Sequence, residues 1–403
     1  MTQLHPYQEQ CVKYHLEHHY SIDGCEMGLG KTRIALEAAK RAGGRVAIFG
    51  PRFLQSVWEM EAVEVGVDFS YFPYSMLHKV KVRELSGFSF WVADEVHYLK
   101  SATANRTHAF YTLLKTLLPM YFVGLSGTPI KNRVPDLWTL LAFCGLNPLK
   151  TSGQVLTGSL SKYRQFCRYF CNTVMVEARG ARFEKFGAVR EDKIPELKYL
   201  LRDKYIRFRV DQVLKDLPDL TRKEVILNTV KPPPDLYEVF EAYMAGRKVD
   251  STAKAASALL KASSTVEYVK SMREQGVEYV LIYSDHVESA KAIAREAGGV
   301  CITGATSADV RRATVERFQN GELKTITATI GSMSTGVTLT RANHVVFNDL
   351  SWVPSDNAQA EKRIHRIGQK SACFAHYIYA TTTDYHIGET LTEKIRTINH
   401  VIN

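Results

Sequence analysis

The sequence predicts an α/β protein with two parallel sheets, each flanked by helices. Short apolar strands alternate with helical patterns in both halves of the chain, as parallel sheets with crossover connections require. The length of 403 residues favours two domains over one. Three consecutive prolines at 232–234 interrupt the pattern and predict a linker, after which a second α/β unit begins.

The first half is organised around a glycine-rich turn at residues 24–32. This turn precedes an alanine-rich helix, so its backbone N–H groups and the helix N-terminus are expected to bind phosphate oxygens. Lys31 would reach the β- and γ-phosphates of ATP, and the Thr32 hydroxyl would hold Mg²⁺. The other predicted ATP contacts in the turn are Gly28, Leu29 and Gly30.

The turn departs from the strict phosphate-loop pattern, because Cys25 stands where that pattern has its first glycine. Taken alone, a glycine-rich helix start with a surface lysine also suits a purely structural role. Gln8 lies upstream, where a helical pattern begins. Its amide is predicted to bind the adenine edge, and the alternative is an ordinary surface glutamine.

Polar side chains follow two further apolar strands. Asp94 and Glu95 come directly after residues 88–93, and acids in this place are costly unless they meet a cation or act in catalysis. Asp94 is predicted to bind Mg²⁺, and Glu95 to be the base that orients the attacking water. His97 is expected to couple this site to the neighbouring domain. Ser126 and Thr128, after residues 121–125, are expected to sense the γ-phosphate.

Two other strand ends carry candidate DNA contacts. Arg52 and Ser75 follow apolar strands, and strand ends are where α/β sheets present ligand contacts. Ordinary strand-to-helix turns explain them equally well. The net charge of +10, from 52 basic and 42 acidic residues, favours a polyanionic partner.

The middle of the chain has a weaker pattern. Aromatic residues at 163–170 have helical spacing, and residues 180–190 predict a loop rich in arginine, lysine and phenylalanine. The predicted domains are therefore 1–150, which binds ATP, a helical protrusion and linker at 151–235, and a second domain at 236–403. In that second domain Arg363 and Arg366 would share one face if the segment were helical. Two arginines there suit transition-state charge on ATP, although a basic helix is often only a solvated face.

Together these segments resemble the SWI/SNF-type ATPases of helicase superfamily two. The matches, in the same order along the chain, are residues 6–8, 26–32, 94–97, 125–129 and 359–369. The resemblance implies two RecA-like domains with a small helical insertion between them, ATP and Mg²⁺ as cofactors, and DNA as partner. It further implies that Gly336 contacts ATP, that Gln359 and Gln369 couple the domains, and that Thr303, Gly304, Ser332 and Trp352 contact DNA.

Residues 168–171, 186–187, 196–197 and 206–218 resemble more narrowly the branch of annealing helicases and fork-remodelling translocases. Phe208 departs from that branch, which usually has a second arginine there. The chain lacks the long insertions of chromatin remodellers, so it resembles a bare motor of the bacterial or phage kind. Nucleosome remodelling is not expected.

Composition excludes several other classes. No apolar run is long enough for a transmembrane helix, and the N-terminus lacks the pattern of a signal peptide. Seven cysteines without metal spacing predict free, mostly buried thiols in a reducing compartment, and zinc at Cys167 and Cys171 is not expected. His15, His18 and His19 are expected to be solvated helix residues. We expect a monomer in the cytoplasm of a prokaryote or an infected cell, or in the nucleus of a eukaryote, with no membrane partner and with targeting by other proteins or by DNA shape.

The sequence therefore predicts a DNA-dependent ATPase that moves on double-stranded or forked DNA in replication, recombination or repair. Two alternatives stay open. One is a strand-separating helicase that loads on single strands, and the other is a DNA-binding scaffold that does not hydrolyse ATP. A phosphate-loop kinase is disfavoured because the arginine segment would have no role in it.

Overall fold

The computed structural model describes residues 3–128, 130, 133–145, 163–178, 181–227, 251–333 and 337–402. The chain forms two compact units, of which unit 1 comprises residues 1–215 and 394–403 and unit 2 comprises residues 216–393. Residues 163–215, from the predicted middle segment, thus belong with unit 1. The division into three segments stays a prediction.

Unit 1 is built on a six-stranded sheet in which every pairing is parallel, in the order β3-β2-β4-β5-β1-β8. Because the strands are parallel, all their carboxyl ends lie at one edge of the sheet. The strands are β1 (Tyr20–Asp23), β2 (Arg45–Gly50), β3 (Phe69–Pro73), β4 (Phe88–Ala93), β5 (Tyr121–Leu125), an antiparallel hairpin of β6 (Cys171–Ala178) and β7 (Ala181–Val189), and β8 (Tyr205–Ile206).

Helices cover this sheet because its central strands are apolar runs that are buried on both faces. Trp91 of β4 packs against Phe49 of β2, with ring centroids 4.8 Å apart, and against Phe110 of a covering helix. The helices of unit 1 are α1 (Pro6–His18), α2 (Lys31–Ala42), α3 (Gln55–Val65), α4 (Val82–Leu85), α5 (Asn105–Leu117), α6 (Leu137–Phe143), α7 (Tyr163–Phe170), α8 (Ile194–Leu201) and α9 (Val210–Val213).

The loop predicted at residues 180–190 was wrong, because residues 181–189 form strand β7. The charged residues that suggested a loop lie along an exposed ribbon, where Glu184 accepts two hydrogen bonds from Arg168 at 2.8 and 3.0 Å. Phe186 and Val189 pack against the core of unit 1. These two apolar residues therefore anchor the ribbon to the unit.

Unit 2 repeats the design with a second parallel sheet, in the order β11-β12-β10-β13-β14-β9. Its strands are β9 (Leu220–Ile226), β10 (Val280–Ser284), β11 (Val300–Ile302), β12 (Thr325–Thr329), β13 (His344–Phe347) and β14 (Cys373–Tyr379). Its helices are α10 (Ser251–Leu260), α11 (Ala262–Glu274), α12 (Val287–Ala297), α13 (Ala308–Gln319), α14 (Pro354–Glu361) and α15 (Thr382–Ile402). The three prolines at 232–234, where a linker was predicted, lie outside the described residues.

Helix α15 begins in unit 2, but residues 394–402 belong to unit 1. There Val401 is buried in the main hydrophobic core of unit 1, with Ile398 and Ile402 packed against the same core. Unit 1 is therefore discontinuous in sequence.

Candidate functional site

The glycine-rich turn connects β1 to α2. Gly28 and Gly30 have φ angles of 87° and 74°, a region that residues with a side chain avoid. Gly30 precedes the first helical residue of α2, so the first N–H groups of this helix lack carbonyl partners within it. Lys31 Nζ donates hydrogen bonds to the carbonyls of Cys25 at 2.8 Å and Glu26 at 3.3 Å. Lys31 thus lies against the turn, and Thr32 is half-buried beside it.

A buried polar cluster supports the turn from below. Asp23, at the end of β1, accepts a hydrogen bond from the backbone N–H of Cys25 at 2.9 Å, and its second oxygen lies 3.4 Å from Nε2 of His15. Burial opposes ionisation of Asp23, but the hydrogen bond and charge of His15, with Lys31, hold its pKa below the usual value. The expectation that His15 is solvated was wrong, because His15 is fully buried and its Nδ1 lies 2.8 Å from the Ser21 hydroxyl.

All seven cysteines are free and six are buried, as predicted. Cys11 of α1 and Cys25 of the turn lie next to this cluster, with sulfur atoms 3.6 Å apart. Hydrogen bonding to Cys11 and burial raise the pKa of Cys25, which keeps it a thiol.

Gln8 of α1 contacts the glycine-rich turn directly. Its Nε2 donates to the Leu29 carbonyl at 3.2 Å, and its Oε1 accepts from the His5 backbone N–H at 2.9 Å. A Cβ atom on Gly30 would lie only 2.6 Å from Gln8 Nε2, so this close approach also requires glycine. Gln8 is buried rather than an ordinary surface residue.

Asp94 follows β4 and is held by two N–H donors. Its Oδ2 accepts from the Trp58 indole at 2.8 Å, and its Oδ1 accepts from the Glu95 backbone at 2.8 Å. Removal from water, with repulsion by the Glu95 carboxylate, nevertheless raises the pKa of Asp94 to about 7. Nothing in the sequence marked Trp58 as a partner of Asp94.

Glu95 has a left-handed backbone, with φ 46° and ψ 49°. Among the described residues, only two other non-glycine residues have a positive φ, namely His19 and Leu118. Such a backbone is strained for a residue with a side chain, and strain of this kind concentrates at functional sites. It turns the chain sharply after Asp94, so that both acids lie at the carboxyl edge of the sheet.

His97 lies between Glu95 and the turn after β5. Its Nδ1 is 3.2 Å from Glu95 Oε2 and 3.2 Å from the Ser126 hydroxyl oxygen. A carboxylate cannot donate, so the Nδ1 proton faces both oxygens. Ser126 Oγ in turn accepts from the Thr128 backbone N–H at 3.2 Å. The three predicted coupling residues of unit 1 therefore form one chain of contacts that ends at Glu95.

The turn after β5 also approaches the glycine-rich turn. A Cβ atom on Gly127 would lie 3.3 Å from Lys31 Nζ and 3.0 Å from Met27. The structure therefore brings Lys31 and the Ser126–Thr128 turn together at the same edge of the sheet of unit 1.

A segment far along the chain also supports the glycine-rich turn, which the sequence patterns did not reveal. The Phe208 carbonyl accepts from the Glu26 backbone at 3.0 Å, and the Glu26 carboxylate accepts from the Val210 N–H at 3.1 Å. Arg207 lies 3.5 Å from the same carboxylate. Phe208, where an arginine was expected, packs its ring against Tyr7.

In unit 2, Arg363 and Arg366 do not lie on a helix, because α14 ends at Glu361 and the chain continues in turns. The helical interpretation of this segment was wrong. Gly368, with a φ of 98°, continues the turn in a conformation suited to glycine. Both arginines nonetheless contact one neighbouring segment. Arg363 donates to the Val337 carbonyl at 3.1 Å, and Arg366 donates to the Thr338 hydroxyl at 3.2 Å.

The two predicted coupling glutamines of unit 2 are both buried. Gln369 fixes the end of the arginine segment, because its Nε2 lies within 3.1 Å of the carbonyls of Thr340, Ala342 and Ile364. Its Oε1 accepts from two further backbone N–H groups. Gln359 lies within α14, and Gly336 lies outside the described residues.

The candidate DNA contacts lie after strands of both sheets. In unit 1, Arg52 and Ser75 are exposed in the 3-10 turns that follow β2 and β3. In unit 2, Thr303 and Gly304 follow β11, and Gly304 is exposed. Ser332 is buried, and its hydroxyl lies within 3.0 Å of two backbone carbonyls, while Trp352 is half-buried against His386.

Comparison with known proteins identifies the family. A family model described as the SNF2-related domain matches residues 67–276, which is more than half of the chain. The chain belongs to the SNF2-related family. A second model, the helicase conserved C-terminal domain, matches residues 261–368 of this SNF2-related chain. By class it is a helicase-like ATPase, and the two models together match residues 67–368, which include strands of both parallel sheets.

Similar proteins include a Xenopus tropicalis SWI/SNF-related matrix-associated actin-dependent regulator of chromatin subfamily A-like protein 1, 27% identical over 93% of this chain and 42% of its own length. The DNA annealing helicase and endonuclease ZRANB3 of Mus musculus is 26% identical over 100% of this chain and 41% of its own length. The chain thus spans about two fifths of these curated relatives. Among solved structures, a Sulfolobus solfataricus SWI2/SNF2 ATPase core in complex with dsDNA is 21% identical, with a TM-score of 0.44, covering 100% of this chain and 93% of that chain.

No helix within the described part of the chain combines the length and the apolar character needed to cross a membrane.

Proposed function

We propose that this chain is an ATP-driven translocase that moves on double-stranded or forked DNA. The observation that carries the proposal is that the Lys31 turn, the Glu95 carboxylate and the Ser126–Thr128 turn meet at one sheet edge, linked by His97. The proposed ATP contacts and the proposed coupling residues would thus be neighbours within unit 1. The similarity to an annealing helicase and to a chromatin regulator supports the choice of DNA as substrate.

The residues at this edge fit ATP with Mg²⁺. Gly28 and Gly30 have the left-handed backbone that is typical of anion-binding turns, and the Lys31 ammonium lies against the same turn. Thr32 and Asp94 supply the oxygen donors that Mg²⁺ prefers. When bound, the ion would neutralise charge on the phosphate oxygens. Asp94, with its pKa near 7, would become fully ionised as a ligand.

Each remaining residue has a role that follows from its contacts. Gln8 lies on the glycine-rich turn and would bind the adenine edge. Glu95 would orient the attacking water, and its carboxylate shares the His97 proton with Ser126. A change in position of the Ser126–Thr128 turn therefore changes the hydrogen bonding of the catalytic carboxylate. Arg363 and Arg366 would stabilise the negative charge of the transition state.

DNA would be held mainly through its phosphates, so binding should weaken steeply with salt and show little sequence preference. Arg52, Ser75 and Gly304 are exposed for such contacts. Thr303, Ser332 and Trp352 complete the proposed set, and Ser332 would act through the backbone of its turn. Because its substrate is DNA, we place the protein in the prokaryotic cytoplasm or the eukaryotic nucleus.

The test is steady-state ATP hydrolysis without DNA and with single-stranded, duplex or forked DNA, using Lys31→Ala as control. Strong stimulation by duplex or forked DNA, absent in the control, is the expected result. Stimulation by single strands alone would replace the translocase with a strand-separating helicase. Absence of hydrolysis with every DNA would leave a passive DNA-binding scaffold.

A further inference from the structure

The arginine segment of unit 2 begins at a buried carboxylate that three donors hold. Glu361, the last residue of α14, is 2% exposed. Arg222 of β9 donates to its two oxygens in a bidentate pair, at 3.0 and 2.6 Å. The Tyr377 hydroxyl of β14 donates to the same carboxylate. A bidentate pair fixes orientation as well as distance, so the end of α14 is fixed relative to β9.

A second contact joins the same two segments. His365 Nε2 lies 2.7 Å from the Pro218 carbonyl, and His365 Nδ1 lies 2.9 Å from Lys362 Nζ. An ammonium can only donate, so Nδ1 accepts and Nε2–H donates to Pro218. The neutral imidazole that this requires agrees with the lowered pKa of His365, which desolvation and Lys362 cause.

Both contacts come from the first residues of unit 2. The chain passes from unit 1 to unit 2 between Lys215 and Asp216, and Pro218 and Arg222 follow directly. On the other side, Glu361 and His365 flank Arg363, and His365 immediately precedes Arg366. A displacement of residues 218–222 therefore reaches both arginines through two short connections.

We propose that Arg222 is a positioning residue, which fixes the arginine segment through Glu361 so that Arg363 and Arg366 reach the geometry needed for ATP hydrolysis. This inference rests on the proposed function, because it assigns the arginines to ATP. It implies that residues 218–222, which follow the boundary between the two units, influence ATP turnover through the arginine segment of unit 2. Arg222 has a half-exposed side chain, so its removal need not disrupt the core.

The experiment compares Arg222→Ala, Arg222→Lys and Lys223→Ala in the full chain. Lys223 is the next residue of β9, and its replacement by alanine removes the same charge. Its ammonium lies over the Phe374 ring and not on Glu361. We expect Arg222→Ala to lower the DNA-stimulated kcat about 10- to 100-fold, the scale of a small misplacement of catalytic groups. KM for ATP should stay near wild type, whereas the melting temperature should fall, because the buried Glu361 carboxylate loses its cationic partner. Arg222→Lys should recover part of the loss, and Lys223→Ala should match wild type.

A double-mutant comparison separates positioning from an independent effect. If Arg222 acts through the arginines, adding Arg222→Ala to Arg363→Ala should lower kcat little further. The inference would be overturned if the two losses of kcat multiplied in the double variant, or if the Arg222→Ala enzyme were as fast as wild type. Either result would leave the proposed function standing.

Hydrogen exchange of residues 362–369 tests whether Arg222 fixes the arginine segment, and this measurement does not depend on enzyme activity. These amides should exchange faster in Arg222→Ala than in wild type or Lys223→Ala, and equal rates would also overturn the inference. An inactive wild type would refute the proposed function, and the exchange rates would still show whether Arg222 fixes the arginine segment. If Arg222→Ala fails to fold, Tyr377→Phe removes another donor to Glu361 and takes its place.

Discussion

Asp94→Asn should make the metal-free protein more stable at alkaline pH. The pKa of Asp94 rises from the usual 3.8 to about 7 in the folded chain. Each pKa unit corresponds to about 1.4 kcal/mol, so ionised Asp94 opposes folding by at most about 4 kcal/mol. Since Asp94 is half-buried, solvent screening reduces this to about 2 kcal/mol.

The sign follows from proton binding. The unfolded chain ionises Asp94 above about pH 4, whereas the folded chain keeps this proton up to about pH 7. The stability that Asp94 contributes is therefore complete below the lower value and is lost as the pH rises through the upper one. Asparagine does not titrate. Replacing one carboxylate oxygen deprives one N–H donor of its acceptor, at about 1 kcal/mol at every pH. The stability of Asp94→Asn relative to wild type should accordingly increase by about 1 to 2 kcal/mol between about pH 5 and pH 8.

Urea unfolding with a chelator present, followed by tryptophan fluorescence, measures this difference. Three of the four tryptophans, Trp58, Trp91 and Trp138, lie in unit 1, so the signal reports chiefly on the unit that contains Asp94. Asp68→Asn, at an exposed position of the same unit, controls for the loss of one negative charge. A difference between Asp94→Asn and wild type that stays constant, or shrinks, as the pH rises would refute the assignment of Asp94 as a protonated carboxyl near neutrality.

Three further predictions concern the proposed nucleotide site. Lys31→Ala and Glu95→Gln should each lower ATP turnover about 100-fold or more with unchanged melting temperature, and wild-type turnover in either would contradict the site. Gln8→Ala should raise KM for ATP about tenfold and reduce the preference for ATP over GTP, because one hydrogen bond to the base is lost; an unchanged preference in a competition assay would remove Gln8 from the adenine site. Ser126→Ala leaves the Thr128 N–H without its acceptor, so it should lower DNA-stimulated turnover about tenfold and basal turnover less, and equal losses would argue against coupling.

The central strands of unit 1 could be predicted from sequence because each is a continuous apolar run. Strands β2, β4 and β5 cover the predicted residues, and the acids after β4 lie where the pattern placed them. The position of the polar turns was predictable from the strands, because the carboxyl ends of parallel strands share one edge of the sheet.

The partners that hold the site residues were not predictable. Trp58 and Asp94 are 36 positions apart, and Arg222 and Glu361 are 139 positions apart. Such pairs arise from the packing of distant elements, so no local spacing announces them. His15 likewise looked solvated, because a histidine on a polar helix gives no sign that Asp23 will lie beside it. The hairpin of β6 and β7 was missed because its exposed ribbon is as charged as a loop.

The discontinuity of unit 1 has a consequence for how the protein is made. Residues 394–402 place Val401 in the main core of unit 1, whose other members all precede residue 216. During synthesis part of the core of unit 1 therefore stays uncovered until the whole of unit 2 has left the ribosome. A fragment that stops at residue 215 would expose the same apolar surface permanently and should require a chaperone, or the missing helix supplied as a peptide, to remain in solution.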